Sequence, residues 1–106
     1  MSTNAIMTEA QNALQNAPLH PHTTERRFLT AYELAAKVEE SLQLPHDPQR
    51  ARTISRELSS KVNECAANSQ PCNIERVYIN LSDCFDVAFD GHKVTARHLT
   101  AYRWVG

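Results

Sequence analysis

The stretch from Ile74 to Trp104 constrains the fold most, because it holds five of the seven aromatic residues and its apolar residues recur at every second position. Val77, Ile79 and Leu81, then Phe85, Val87 and Phe89, alternate with Arg76, Tyr78, Asn80 and Asp86, which is the period of a strand with one buried face. The odd positions are therefore predicted to face the core and the even ones water. Asp90-Gly91 supplies the hairpin signal, since a two-residue type I′ turn needs positive φ at both positions and these residues tolerate it. Such a turn sets Phe89 opposite His92, Val87 opposite Val94 and Phe85 opposite Ala96. Upstream, a two-residue turn at Ser82-Asp83 would bring Asp86 opposite Ile79, a carboxylate among core residues. A three-residue loop, Ser82 to Cys84, instead opposes Leu81 to Phe85, and this is the loop predicted. Past Ala96 the alternation weakens, and Leu99, Tyr102 and Trp104 fit either an extended tail or a short closing helix from near Thr95.

Two helices are predicted ahead of this stretch. Thr30 and Glu33 have the spacing of a capping box, with Leu29 and Leu34 placed as its hydrophobic staple, and Ala31, Leu34, Ala35, Val38 and Leu42 form an apolar stripe that Pro45 ends. Asp47 is suited to cap the next helix and Pro48 to be its first residue, where a missing N–H costs nothing. Ala51, Ile54, Leu58, Val62 and Cys65 then recur at three- and four-residue steps, and Asn68-Ser-Gln-Pro71 stops the helix. The short Leu44 to Asp47 connection makes the two a helix hairpin. Residues 2–16 carry a thin, alanine-rich stripe, Ile6, Ala10, Ala13 and Leu14, that supports only a marginal helix. Pro18 and Pro21 mark the following segment as a linker.

A chain of 106 residues accommodates one domain and a tail. The formal net charge of −1 is evenly spread: residues 1–27 hold two acids and two bases, 28–73 six and five, and 74–106 four and four. No segment is a polyelectrolyte, which weighs against nucleic-acid binding, where phosphate neutralisation usually leaves a basic footprint. Three cysteines, Cys65, Cys72 and Cys84, without a signal peptide, suit a reducing compartment and free thiols, and the location expected is cytoplasmic. No apolar run reaches the ~20 residues that span a bilayer.

Residue types with reactive chemistry occur, but in patterns that do not build a catalytic set. The predicted register brings Asp83 opposite His98 and so Cys84 near an imidazole, a nucleophile and base by type, yet no glycine near Cys84 could build an oxyanion nest. Asp86 and Asp90 beside Lys93 read as surface ion pairs. His20-Pro-His22 lacks a third ligand, so neither a metal nor a cofactor is expected. Two glycines are too few for a phosphate loop. The helix pair followed by a hairpin resembles the outline of a winged helix, with Arg50, Arg52 and Arg56 available to line a recognition helix. Against it stand the long LPHDP turn and the interruptions at Glu57 and Glu64.

The sequence thus predicts an α+β fold: a helix hairpin packed on a three-stranded antiparallel sheet, in a domain of residues 25–106, preceded by a loosely attached N-terminal helical segment, residues 1–24. By subtraction the function expected is non-enzymatic binding of another protein, as a regulator or inhibitor, with nucleic-acid binding second and a Cys-dependent enzyme third. Candidate partner-binding residues are Arg76, Tyr78 and Arg97 on the outer sheet face and Tyr102, Arg103 and Trp104 near the C-terminus, because aromatic and arginine side chains dominate binding hot spots. For Tyr102 and Trp104 the competing expectation is that they close the core.

Overall fold

The computed structural model describes residues 3–19, 21–22, 25–89 and 92–105, and the side chains among these except in 81–97. The elements are α1 (Thr3–Gln15), β1 (Leu29–Thr30), α2 (Ala31–Leu42), α3 (Pro48–Ala67), β2 (Ile74–Phe89) and β3 (His92–Trp104). The antiparallel sheet has the order β1-β3-β2, and the α2–α3 hairpin packs on it with the N-terminal helix beside them, an α+β fold.

Local chemistry sets the helix ends. The Glu33 amide donates to Thr30 Oγ1 at 3.2 Å while the Thr30 amide donates to Glu33 Oε1 at 3.1 Å, so the capping box is complete and satisfies two otherwise unpaired N–H groups. Thr30→Ala is expected to cost about 1 kcal/mol in chemical denaturation; no change in midpoint would mean that the cap contributes nothing. Gln43 ends α2 in the left-handed region, φ 55°, with its amide on the Glu39 and Glu40 carbonyls. Asp47 caps α3 through the Gln49 amide at 2.9 Å, with Pro48 in the first turn.

The strands depart from expectation in two ways. No turn interrupts Ser82 to Cys84: β2 runs on to Phe89, and its extra residues are taken up as an irregularity, five steps along β2 from Asn80 to Phe85 against two along β3 from His98 to Ala96. Distally the pairs are Phe85 with Ala96, Val87 with Val94 and Phe89 with His92, the register that the Asp90-Gly91 signal predicts; that turn itself lies outside the described residues. The third strand is Leu29–Thr30, paired with Tyr102 and Ala101, and β3 continues as strand to Trp104 without a closing helix.

The second departure is the buried face. Ile74 pairs with Trp104 and Arg76 with Tyr102, so these even-numbered residues share one side of the sheet, and it is this side that meets the helices. Ile74 and Tyr102 lie in one buried cluster with Leu34, Val38, Ile54 and Leu58, and Trp104 packs against it. Val77, Ile79, Leu99 and Ala101 occupy the opposite side, where Ile79 remains 40% exposed. Near this end of the hairpin both sides carry large apolar groups, so alternation alone does not choose between them. The aromatic rings bury the larger area, and they go inward.

The N-terminal segment is also held more firmly than its thin stripe predicts. Ile6, Ala10 and Leu14 are buried in the common cluster, because α2 and α3 offer their apolar flanks to α1. The linker is tied back as well: the Arg27 amide donates to the Pro18 carbonyl at 2.9 Å, and Arg26 Nη1 to that of Ala17 at 3.1 Å. Among the described residues no helix is long and apolar enough to cross a membrane.

Candidate functional site

The exposed face of α3 lies opposite Ala51, Ile54 and Leu58, and at helical spacing it presents Gln49, Arg52, Arg56, Ser60 and Asn63, all exposed. Every one carries a hydrogen-bonding head on a solvated stem. Arg50, the third arginine expected on this face, is instead turned inward: its Nε donates to Glu39 Oε2 at 2.9 Å and its Nη2 to the Pro45 carbonyl at 3.1 Å. Glu39 is buried at the end of α2 and also accepts the Asp47 amide at 2.8 Å and meets His46 Nδ1 at 3.2 Å. Burial is the largest influence on its carboxyl and acts to raise the pKa, but the hydrogen bonds from Arg50, Asp47 and His46 outweigh it and hold the group below its ordinary value. This knot fixes the LPHDP turn and with it the placement of α3 against α2. Glu57 flanks the exposed stripe and meets Arg56 at 3.9 Å, an exposed pair worth little.

Beside the stripe lies an open cleft of about 130 Å³ between the start of α2, the first turns of α3 and β3, lined by Tyr32, Arg52, Ser55, His98 and Thr100 among others. Arg52 belongs to both features and has no ion-pair partner among the described residues. His98 is exposed, with its Nδ1 2.8 Å from Asn80 Oδ1, a contact that orients the ring. Ser55 in the cleft wall is tied to β3: Ser55 and Ser59, one turn apart on α3, each place Oγ 2.8 Å from the Tyr102 hydroxyl, which donates to the Ser55 carbonyl at 3.1 Å.

The candidate partner-binding residues do not form one patch. Tyr102 is fully buried and Trp104 half-buried against the core, so both serve the interior. Arg103 lies on the opposite side of the sheet between Glu25, at 3.2 Å, and Glu75, with its guanidinium 4.6 Å from the centre of the Phe28 ring. It clamps the approach to β1, residues 25–28, to the sheet. Arg76 reaches toward the Ser59 carbonyl at 3.5 Å and lies 5.0 Å from the centre of the Tyr78 ring, which is 60% exposed. The side chain of Arg97 lies outside those described.

The Cys84–His98 pair loses its basis, since Asn80 and not Asp83 stands opposite His98; the Cys84, Asp86 and Lys93 side chains, with Asp90 and His20, are outside the described set. Cys65 and Cys72 are free, and the hydrogen bond that the Cys65 thiol donates to Cys72, followed by burial, pushes its pKa up, the reverse of what a thiolate nucleophile needs. Among the described residues no group of three or more His, Cys, Asp or Glu is placed to hold a metal. Sequence reasoning missed Gln49, Ser60 and Asn63, which helical spacing alone could have added to the arginines. It also missed the cleft, for which no local signal exists. No family model, curated protein or solved structure matches this chain.

Proposed function

We propose that the protein binds double-stranded DNA, with the exposed face of α3 in the major groove and a backbone phosphate seated at the Arg52 cleft. The observation that carries this is the stripe Gln49, Arg52, Arg56, Ser60 and Asn63 on the second helix of a helix pair. Arginine reads guanine, glutamine and asparagine read adenine, and serine serves either bases or phosphate, so the stripe is made of readout residues with no acid along its centre. The order helix, strand, helix, helix, strand, strand, with β1 against β3, supports the reading because it is the outline of a winged helix, in which the helix before the hairpin enters the groove. Fold by itself does not assign function, so the argument rests on the stripe and the cleft.

The near-neutral charge implies few phosphate contacts. Fluorescence anisotropy on a random-sequence duplex pool is expected to show binding at low salt, with log K falling against log salt at a slope of about −2 to −4, or roughly 0.9 per neutralised phosphate. Arg52→Ala is expected to weaken all sequences alike and lower the slope by about 1, and Arg56→Ala to cost about 1 to 3 kcal/mol on a selected site and relax its specificity. An absence of binding to the pool at low salt refutes the proposal.

A protein partner is favoured by a separate feature, the exposed Tyr78 and Ile79 on the sheet's outer strand.

A further inference from the structure

We infer that this partner is a second copy of the chain, joined through the free edge of β2 into a continuous six-stranded sheet. In the order β1-β3-β2 the outer side of β2 is an edge, and from Ile74 to Asn80 its outward backbone groups pair with nothing among the described residues. An unpaired row of N–H and C=O groups is a template for another strand. At the centre of this edge apolar side chains stand on both faces, Val77 and the 40% exposed Ile79 on one and the 60% exposed Tyr78 on the other, with Glu75 and Arg76 before them and Asn80 after.

The sequence of the edge is self-complementary. In an antiparallel pairing about a two-fold axis at Tyr78, Tyr78 meets its own copy, Val77 meets Ile79 and Arg76 meets Asn80, so apolar residues oppose apolar ones and no like charges face each other. Moving the axis by one residue, the smallest shift that keeps the outward backbone groups paired, sets Glu75 against Ile79 or puts Val77 and Arg76 against the segment beyond Asn80, where the pairing within the chain is irregular. Glu75 does not interfere, because Arg103 holds it on the opposite side from Tyr78. Opposed residues in an antiparallel pair share a face, so the axis stands perpendicular to the sheet and the helices of both copies lie on one side. Two α3 helices then present their polar stripes in the same general direction, a geometry for two half-sites on one duplex. The dimer itself does not depend on DNA binding, and its test uses no DNA.

Sedimentation equilibrium of the full chain is expected to give a concentration-dependent mass rising from 12.0 kDa to twice that value. Ile79→Lys, with its fold verified by circular dichroism, is expected to weaken the dimer by about tenfold or more, since a lysine on the edge then faces Val77. Adding Val77→Glu sets Glu against Lys across the axis and is expected to restore dimerisation in this register. Tyr78→Cys is expected to form a disulfide between copies, identified by peptide mapping. Glu75→Cys should not, because three residues from the axis separates the two thiols by about 20 Å. A monomer at every concentration overturns the inference, as does a dimer that is indifferent to Ile79→Lys or that fails to cross-link through position 78.

Discussion

Tyr102→Ala is expected to lower the unfolding free energy by about 3 to 5 kcal/mol, and Tyr102→Phe, which removes only one oxygen, by about 1 to 3. The first figure follows from complete burial of the ring in the cluster that unites the sheet with α2 and α3. The second follows from the hydroxyl's full occupancy: its single proton goes to the Ser55 carbonyl and its lone pairs receive the Ser55 and Ser59 hydroxyls. Phenylalanine would leave both serines to find new partners in a half-buried site. For a domain of this size 1 kcal/mol shifts Tm by roughly 4 to 8 °C, so thermal and denaturant unfolding will separate the two variants. A Tyr102→Phe protein as stable as wild type would show that the serine network carries no net stabilisation.

The second large effect is expected at Glu39. Glu39→Ala removes the group on which Arg50, the Asp47 amide and His46 converge, and should cost about 2 to 4 kcal/mol, toward the lower end of a broken buried pair because Arg50 is partly solvated. Because the folded carboxyl lies below its ordinary value, the native state favours the ionised form. Its contribution is present above the unfolded pKa, near 4.5, and is lost as pH falls through the lower folded value. Glu39→Gln should therefore be less stable than wild type at neutral pH and converge on it at acid pH. A constant difference between the two stability–pH curves would refute the role given to the ionised form. The same variant bears on function, since slackening the turn before Asp47 lets α3 shift relative to the cleft and should weaken DNA binding without touching the exposed stripe.

Much of this protein was decided within a few residues along the chain. Thr30 with Glu33, and Asp47 with Pro48, start their helices through hydrogen bonds and φ restrictions that need no distant partner. The distal register from Phe85 to Ala96 is likewise local, because the turn length and the two-residue period leave a single alignment of apolar pairs. The polar stripe on α3 follows from the same kind of information: once Ala51, Ile54 and Leu58 are buried, geometry exposes the residues opposite.

Other features were settled only by the assembled tertiary structure. Arg50 looks like its neighbours Arg52 and Arg56 in sequence, and it is the buried Glu39 across the turn that withdraws it from the surface. Leu29–Thr30 becomes a strand only because β3 offers it an edge, and α1 gains order only when α2 and α3 cover its thin stripe. The sheet turns Tyr102 and Trp104 inward where alternation suggested Val77 and Ile79, because both faces were apolar enough and the larger rings bury more area against the helices. A pattern of period two fixes which residues share a face, but the choice of the buried face depends on free energy gained from groups far away in sequence, and that is read only when the helices are in place.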